Sequence, residues 1–389
     1  MKRIAIFCDG TWNRISSPHS TNVLLGAQSV LPRAEDGLDQ LTYYDEGVGT
    51  TYLISEGIET RLAGAFGLGL FDKIAAAYRF LVFNFEPGDE IFIFGFSRGA
   101  YTARSLAGMI RKCGIVPRTS ARDVPEIFKF YKDSATHPNS DEAQRFRLRL
   151  CPEIVLTEAD RSWRVENGVS VDLAESAKLL NVKYIGVYDT VGALGVPRHL
   201  FLSRLFGQAD KYEFHDTALS STVHAARHAV AVDEDRKSFT PSLWSNLDVL
   251  NQAAARVRYE QLWFPGDHGS IGGGGDIHGL SSSAFCWIME GAAAQGLDLD
   301  QDALSQALAR VDHLAPLKNS SAAPGFIDRI YRRQSRVGPQ RLSELAEPTL
   351  LRLEHETKDV ASALYRPPSL KAIHKGEKAF GRQITGSDL

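Results

Sequence analysis

The chain has 389 residues, of which 43% are hydrophobic and 23% charged, an ordinary globular balance that excludes disordered, collagenous and fibrous classes. Lys and Arg total 44 against 47 Asp and Glu, a formal net charge of −3. A nucleic-acid binder working through a broad basic surface is therefore not expected, because neutralising phosphates needs clustered cations.

The first predicted strand is the apolar run from Arg3 to Cys8, which ends in the loop D-G-T-W-N at 9–13. That run is too short for a secretory leader, and no window reaches the roughly 18–20 apolar residues of a membrane span. Synthesis in the cytoplasm is expected, with export open only to machinery that reads no such leader. The loop shares D-G-T with phosphatases of the haloacid-dehalogenase type, but their nucleophilic aspartate would fall at Phe7. From Phe71 to Phe85, apolar residues at 74, 77, 78, 81 and 82 repeat at helical spacing. A turn, P-G-D at 87–89, then introduces a strand from Glu90 to Phe94, and a helix follows from Ala100 to Cys113 with Gly114 at its C′ position.

Residues 115–175 are more polar, with helical pieces near 124–133 and 141–150, and are expected to form an inserted cap. A third strand runs from Val182 to Tyr188, followed by D-T-V-G, and a fourth from Arg256 to Phe264. His224 and His228, four apart, read as part of a helix, and residues 281–295 as another. Strand and helix alternation predicts an α/β fold with a mostly parallel central sheet flanked by helices. The expected organisation is one α/β domain over 1–310 and a C-terminal extension over 311–389 packed on it, mobile after about 375. The cysteines at 8, 113, 151 and 286 form no C-x-x-C pair, and no disulfide framework is expected.

The chemistry concentrates in G-F-S-R-G at 95–99, a G-x-S-x-G motif with a strand before it and a helix after it. Such a turn projects the central side chain above the sheet, and the small residues Gly95 and Gly99 make room for it. Ser97 is thus the candidate nucleophile. The helix N-terminus places backbone N–H groups near Ser97, and the N–H of Arg98 would donate to an oxyanion. A serine needs a base and an orienting acid, and in this architecture the order is Ser, acid, His. Asp189 stands at a strand end, with Asp216, Asp233 and Asp267 as alternatives. His268 stands in the loop F-P-G-D-H-G-S, with His278 as second choice. The second oxyanion donor is expected from Gly10 or Thr11, with Asp9 bracing that loop. This chemistry requires no metal and no cofactor. The glycine run at 269–275 lacks the Lys-Ser/Thr ending of a phosphate loop.

Taken together, D-G-T-W-N (9–13), Y-Y-D-E-G-V-G-T (43–50), G-F-S-R-G-A-Y-T-A-R (95–104), Y-D-T-V-G-A-L-G (188–195), A-V-D-E-D-R-K-S-F-T-P-S-L-W (231–244) and W-F-P-G-D-H-G-S-I-G-G-G (263–274) resemble the bacterial α/β-hydrolase domain of type VI secretion phospholipase effectors. The likeness runs from residue 1 to about 300. It implies an α/β-hydrolase fold and a serine esterase using Ser97, Asp189 and His268, with Asp9 and Asp45 in support. It implies a lipid or small ester as substrate and peripheral membrane contact; an effector would also meet a secretion apparatus and an immunity protein. A non-lipid esterase or thioesterase, and a non-catalytic binding protein on the same scaffold, are the alternative readings.

Overall fold

The computed structural model describes residues 1–10, 13–47, 60–192, 218–254, 258–319, 333–355 and 365–373, with the backbone alone for 60–68 and 238. In chain order the main elements are β1 (Arg3–Cys8), α1 (Asn22–Ser29), β2 (Gln40–Asp45), α2 (Thr60–Asn84), β3 (Glu90–Phe96), α3 (Arg98–Cys113), α4 (Val124–Lys132), α5 (Asp141–Leu150), β4 (Ile154–Val155), α6 (Glu158–Glu166), α7 (Val171–Ser176), β5 (Lys178–Leu179), β6 (Asn181–Tyr188), β7 (Val223–Ala231), α8 (Leu247–Gln252), β8 (Tyr259–Phe264), α9 (His268–Gly272), α10 (Gly279–Ala293), α11 (Gln301–Ala309) and α12 (Glu347–Glu354).

Six strands form one sheet in the order β2-β1-β3-β6-β7-β8, and every pairing in it is parallel. This is the α/β architecture expected. Parallel sheets are covered on both faces, so their strands are apolar on both sides. Ile4, Ile6, Ile91 and Ile93 belong to the core that α2 and α3 cover. The alternating residues Ala5, Phe7, Phe92 and Phe94 belong to the core shared with α10 residues Ala284, Phe285 and Ile288. Phe7 and Phe94 lie directly opposite in the register and stack at 4.5 Å between centroids, a contact worth about 0.5–1.5 kcal/mol beyond its burial.

Two differences from the sequence reading stand out. The segment holding His224 and His228 is strand β7, not a helix. The last predicted strand begins at Tyr259; residues 256 and 257 lie outside the described residues. The segment 115–175 carries α4 to α7 and bonds to α3 at its middle and near its C-terminus: Tyr131 donates to Ser105 O at 3.0 Å and Arg147 to Lys112 O at 3.2 Å. The extension beyond 310 packs Leu345, Leu353, Tyr365, Leu370 and Ile373 against Val230, Val232 and Trp263. Residues 374–389, including the tail expected to be mobile, lie outside the described residues.

The chain leaves β1 toward β2 on one side, then returns to place β3 on the other. The carboxyl ends of β1 and β3 therefore flank a point where strand order reverses, the crevice in which open α/β sheets bind ligands. Asp9 and Ser97 follow directly on these two ends.

Candidate active site

β3 ends at Phe96 and α3 begins at Arg98, so the turn from strand to helix is made by Ser97 alone. Its φ of 59° and ψ of −121° are costly for a side-chain-bearing residue, on the order of 1–3 kcal/mol. Two glycines permit the turn. A Cβ at Gly95 would lie 2.5 Å from Gly99 O, and one at Gly99 would lie 2.1 Å from Cys8 O. The first turn of α3 thus sits directly on the end of β1. Ser97 N–H donates to Tyr188 O at 3.0 Å, which ties the turn to the end of β6.

Asp189 follows Tyr188, and its φ of 38° makes it the second described non-glycine residue, with Ser97, on the positive side. Its backbone N–H donates to Ala229 O at 2.7 Å. Beneath it His228, wholly buried, accepts the Thr190 N–H at Nε2 (3.2 Å) and therefore carries its proton on Nδ1, donated to Gln261 Oε1 at 3.0 Å. Burial and the nearby Arg104 guanidinium push His228 down to about 3, so the ring is neutral. The spacing of His224 and His228 therefore serves the strand and the Asp189 turn.

His268 opens α9, whose N-cap Asp267 accepts from Ser270 N at 2.9 Å. Its Nδ1 donates to Asp189 Oδ2 at 2.6 Å, and its Nε2 lies 2.8 Å from Ser97 Oγ. Because the ionised carboxylate can only accept, the proton sits on Nδ1 and Nε2 is left to accept the serine hydroxyl. The ring is flanked by Phe96 at 4.7 Å and Phe239 at 4.9 Å. Gly272 leaves the space that the Phe96 ring fills; a Cβ there would lie 2.1 Å from it. Asp189 is fully buried, whereas Ser97 and His268 remain 6% and 7% exposed.

The sequence reading contained no hint of a fourth side chain. Arg336 grips both Asp189 oxygens, Nη1 to Oδ1 at 2.6 Å and Nη2 to Oδ2 at 2.8 Å. Burial pushes the Asp189 carboxyl up, but the Arg336 charge and its hydrogen bonds, with those from His268, outweigh this and hold it far below the usual carboxylate range. Nearby, Glu234 accepts the His268 N–H at 3.3 Å, while Arg236 forks onto it at 2.8 and 2.7 Å.

The remaining expected residues have other duties. Asp9 accepts from Gly10 N (2.6 Å), Asn13 Nδ2 (3.1 Å), Thr21 Oγ1 (2.5 Å) and Tyr44 OH (2.8 Å). The Gly10 N–H, expected at an oxyanion, is thus donated to Asp9, although Gly10 itself lies against Ser97: a Cβ there would be 3.2 Å from Ser97 Cβ. Thr11 lies outside the described residues, as does Asp216. Asp45 is paired with Lys73 at 2.6 Å. Asp233 accepts from Tyr365 OH at 2.7 Å, and His278 lies against His19, their rings 6.1 Å apart. Arg98, whose N–H was the other expected donor, is the first residue of α3.

With this geometry in place, comparison with known proteins decides the family. The catalytic domain of the Tle1-like phospholipase effectors of type VI secretion matches residues 2–291. The chain belongs to this family. The family is described as the catalytic domain of phospholipase effectors. It is similar to the uncharacterized protein YEL023C of Saccharomyces cerevisiae, 29% identical over 248 residues, 61% of this chain and 32% of that protein. Among solved structures it is similar to an uncharacterized protein from Pseudomonas aeruginosa, 16% identical with a TM-score of 0.44, over 80% of this chain and 49% of that one. It is also similar to the Tle1 effector bound to the VgrG spike, 18% identical with a TM-score of 0.35, over 69% of this chain and 50% of that one. The chain thus spans about a third of the yeast relative and half of each solved chain. Among the described residues no helix is long and apolar enough to cross a membrane.

Proposed function

We propose that this chain is a serine hydrolase that cleaves acyl esters of lipids, with phospholipids as the substrate class, through a covalent acyl-enzyme. The observation that carries this reading is the row Ser97 Oγ, His268 Nε2, His268 Nδ1, Asp189 Oδ2, joined at 2.8 and 2.6 Å and anchored on Ser97 and Asp189, the two non-glycine residues with positive φ among the described residues. The chemistry follows from the proton positions. As Ser97 Oγ attacks the ester carbonyl, its proton passes to His268 Nε2, and Asp189 stabilises the imidazolium through Nδ1–H. Negative charge grows on the carbonyl oxygen at the N-terminus of α3, where Arg98 N–H receives it. The D-G-T loop, which touches Ser97 through Gly10, supplies the second donor, with Thr11 N–H as the candidate; one such donor is worth about 3–4 kcal/mol in the transition state. The imidazolium then returns its proton to the leaving alcohol. A water enters, gives a proton to His268, and releases the fatty acid.

The test is direct. An alkyl fluorophosphonate should label the folded protein on Ser97, and phospholipid vesicles should release free fatty acid in its presence. S97A should abolish labelling and lower hydrolysis by about 10⁶-fold. Folded protein that stays unlabelled overturns the reading. Labelling together with turnover of short nitrophenyl esters but not of vesicles would keep the chemistry and discard the lipid.

A further inference from the structure

A fully buried carboxylate is driven toward protonation, and a protonated Asp189 would lose the charge that the imidazolium requires. A positive group must therefore compensate Asp189, and the structure supplies it from a distant part of the chain. Arg336 lies beyond residue 291, where the family likeness ends. It arrives on a short stretch tied to the segment that also supports His268. Arg333 pairs with Asp235, and Gln334 N–H donates to Asp235 O at 2.6 Å. The guanidinium is then clamped from behind, with Nη1 donating to Ala231 O at 3.0 Å and Nη2 to Phe239 O at 2.6 Å. Phe239 is also the residue whose ring stands edge-on to His268. Asp189 Oδ2 thus takes bonds from His268 and Arg336 at once, at 2.6 and 2.8 Å.

We propose that Arg336 is a positioning residue for the reaction: by holding both oxygens of Asp189 it fixes the orientation and the charge state that His268 works against. The inference rests on the serine-hydrolase reading. A planar fork suits this task, because two parallel N–H bonds leave the carboxylate no freedom to swing away from the imidazole. Its loss has two routes to the same result. If Asp189 stays ionised, its uncompensated charge favours the protonated imidazole. If Asp189 takes up a proton, the imidazole loses its partner until the pH is raised. By either route the reactive pair, neutral His268 facing ionised Asp189, needs a higher pH to form.

The experiment measures the rate constant for fluorophosphonate labelling of Ser97 in the full chain across about pH 5 to pH 9. In R336Q the acid limb should move up by about one pH unit, so that labelling below it slows by about tenfold. R336K keeps a charge but not the fork. It should keep the wild-type limb while its plateau falls several-fold. A folded R336Q with the wild-type limb and rate overturns the proposal and leaves the parent reading standing. Should R336Q fail to fold, R336K carries the test, and a wild-type plateau in it overturns the proposal. Wild-type protein that does not label removes both readings together.

Discussion

The Ser97 turn and the Arg336 stretch meet on one carboxylate–imidazole pair, but they arrive by different physical routes. Ser97 is aimed by its near neighbours: Gly95 and Gly99, two residues to either side, let α3 sit on the end of β1. Arg336 is aimed by contacts remote in sequence. Asp235 holds its approach, and behind it a Cβ at Gly338 would lie 2.2 Å from Ser369 O, while the Ser369 hydroxyl donates to Val232 O at 2.9 Å. A local device is set once strand and helix form. A remote device is set only when a separate layer of side chains, Leu345, Leu353 and Leu370 among them, docks on β7 and β8. The Ser97 turn thus comes from tight local geometry, whereas the charge that balances Asp189 comes from tertiary packing.

The largest expected effect joins the two routes. D189N should lower the hydrolytic kcat/KM by about 10⁴-fold, as expected when the imidazole is held in the wrong tautomer. The same change strands Arg336 as a buried charge, which should cost about 3–5 kcal/mol of stability. The double variant D189N/R336M removes that stranded charge. Urea unfolding should show most of the stability restored while activity stays down. If the double variant is no more stable than D189N alone, the two residues are not energetically joined.

A smaller effect isolates the local route. G99A would drive a Cβ to within 2.1 Å of Cys8 O and 2.4 Å of Asp9 O. Both neighbours are backbone, so neither can rotate away. A loss of about 1–3 kcal/mol is expected, together with slower fluorophosphonate labelling as the turn shifts. G37A provides the contrast: Gly37 has positive φ, 85°, and nothing lies within 4 Å of a Cβ there. It should lower stability by the strain alone and leave labelling unchanged. Equal effects on labelling would mean that the fit of α3 onto β1 does not aim Ser97.

These contrasts explain what the sequence made legible. Ser97, Asp189 and His268 could be singled out because Ser97 follows a strand within G-x-S-x-G, Asp189 follows a strand, and His268 stands in a glycine-rich loop. The strand β7 could not. Its residues, V-H-A-A-R-H-A-V-A, favour a helix in isolation, and they form a strand because larger neighbours fill the volume around them. Ala225 and Ala229 share a core with Tyr184, Phe264 and Phe285. The edge strand β2 hid for another reason: it is mostly half-buried, so its pattern is not apolar. Arg336 carried no motif. Nothing in the order of residues marked it as the partner that a fully buried aspartate needs.

The smallest effect probes the floor beneath Asp189. His228 is buried neutral and its folded value is pushed down to about 3, against 6.5 for the free side chain. The unfolded chain therefore binds more protons than the folded one between these values. The stabilisation is complete above pH 6.5 and drains as pH falls toward 3, by up to about 1.4 kcal/mol per pH unit. Asp9 and Asp233, whose carboxyls are raised by burial, act in the opposite sense, and the lowered Asp189 loses its contribution only at still more acid pH. Those terms cancel when H228Q is compared with the parent, since Gln keeps an acceptor for the Thr190 N–H. At about pH 8 H228Q should be less stable by about 1 kcal/mol, the worth of the lost Gln261 bond. By about pH 5 that deficit should shrink or reverse by about 2 kcal/mol, because only the parent must hold an uncharged histidine. Urea unfolding at the two pH values decides it: parallel losses in both proteins would mean that His228 takes up its proton while folded, and the neutral ring beneath the Asp189 turn would have to be abandoned.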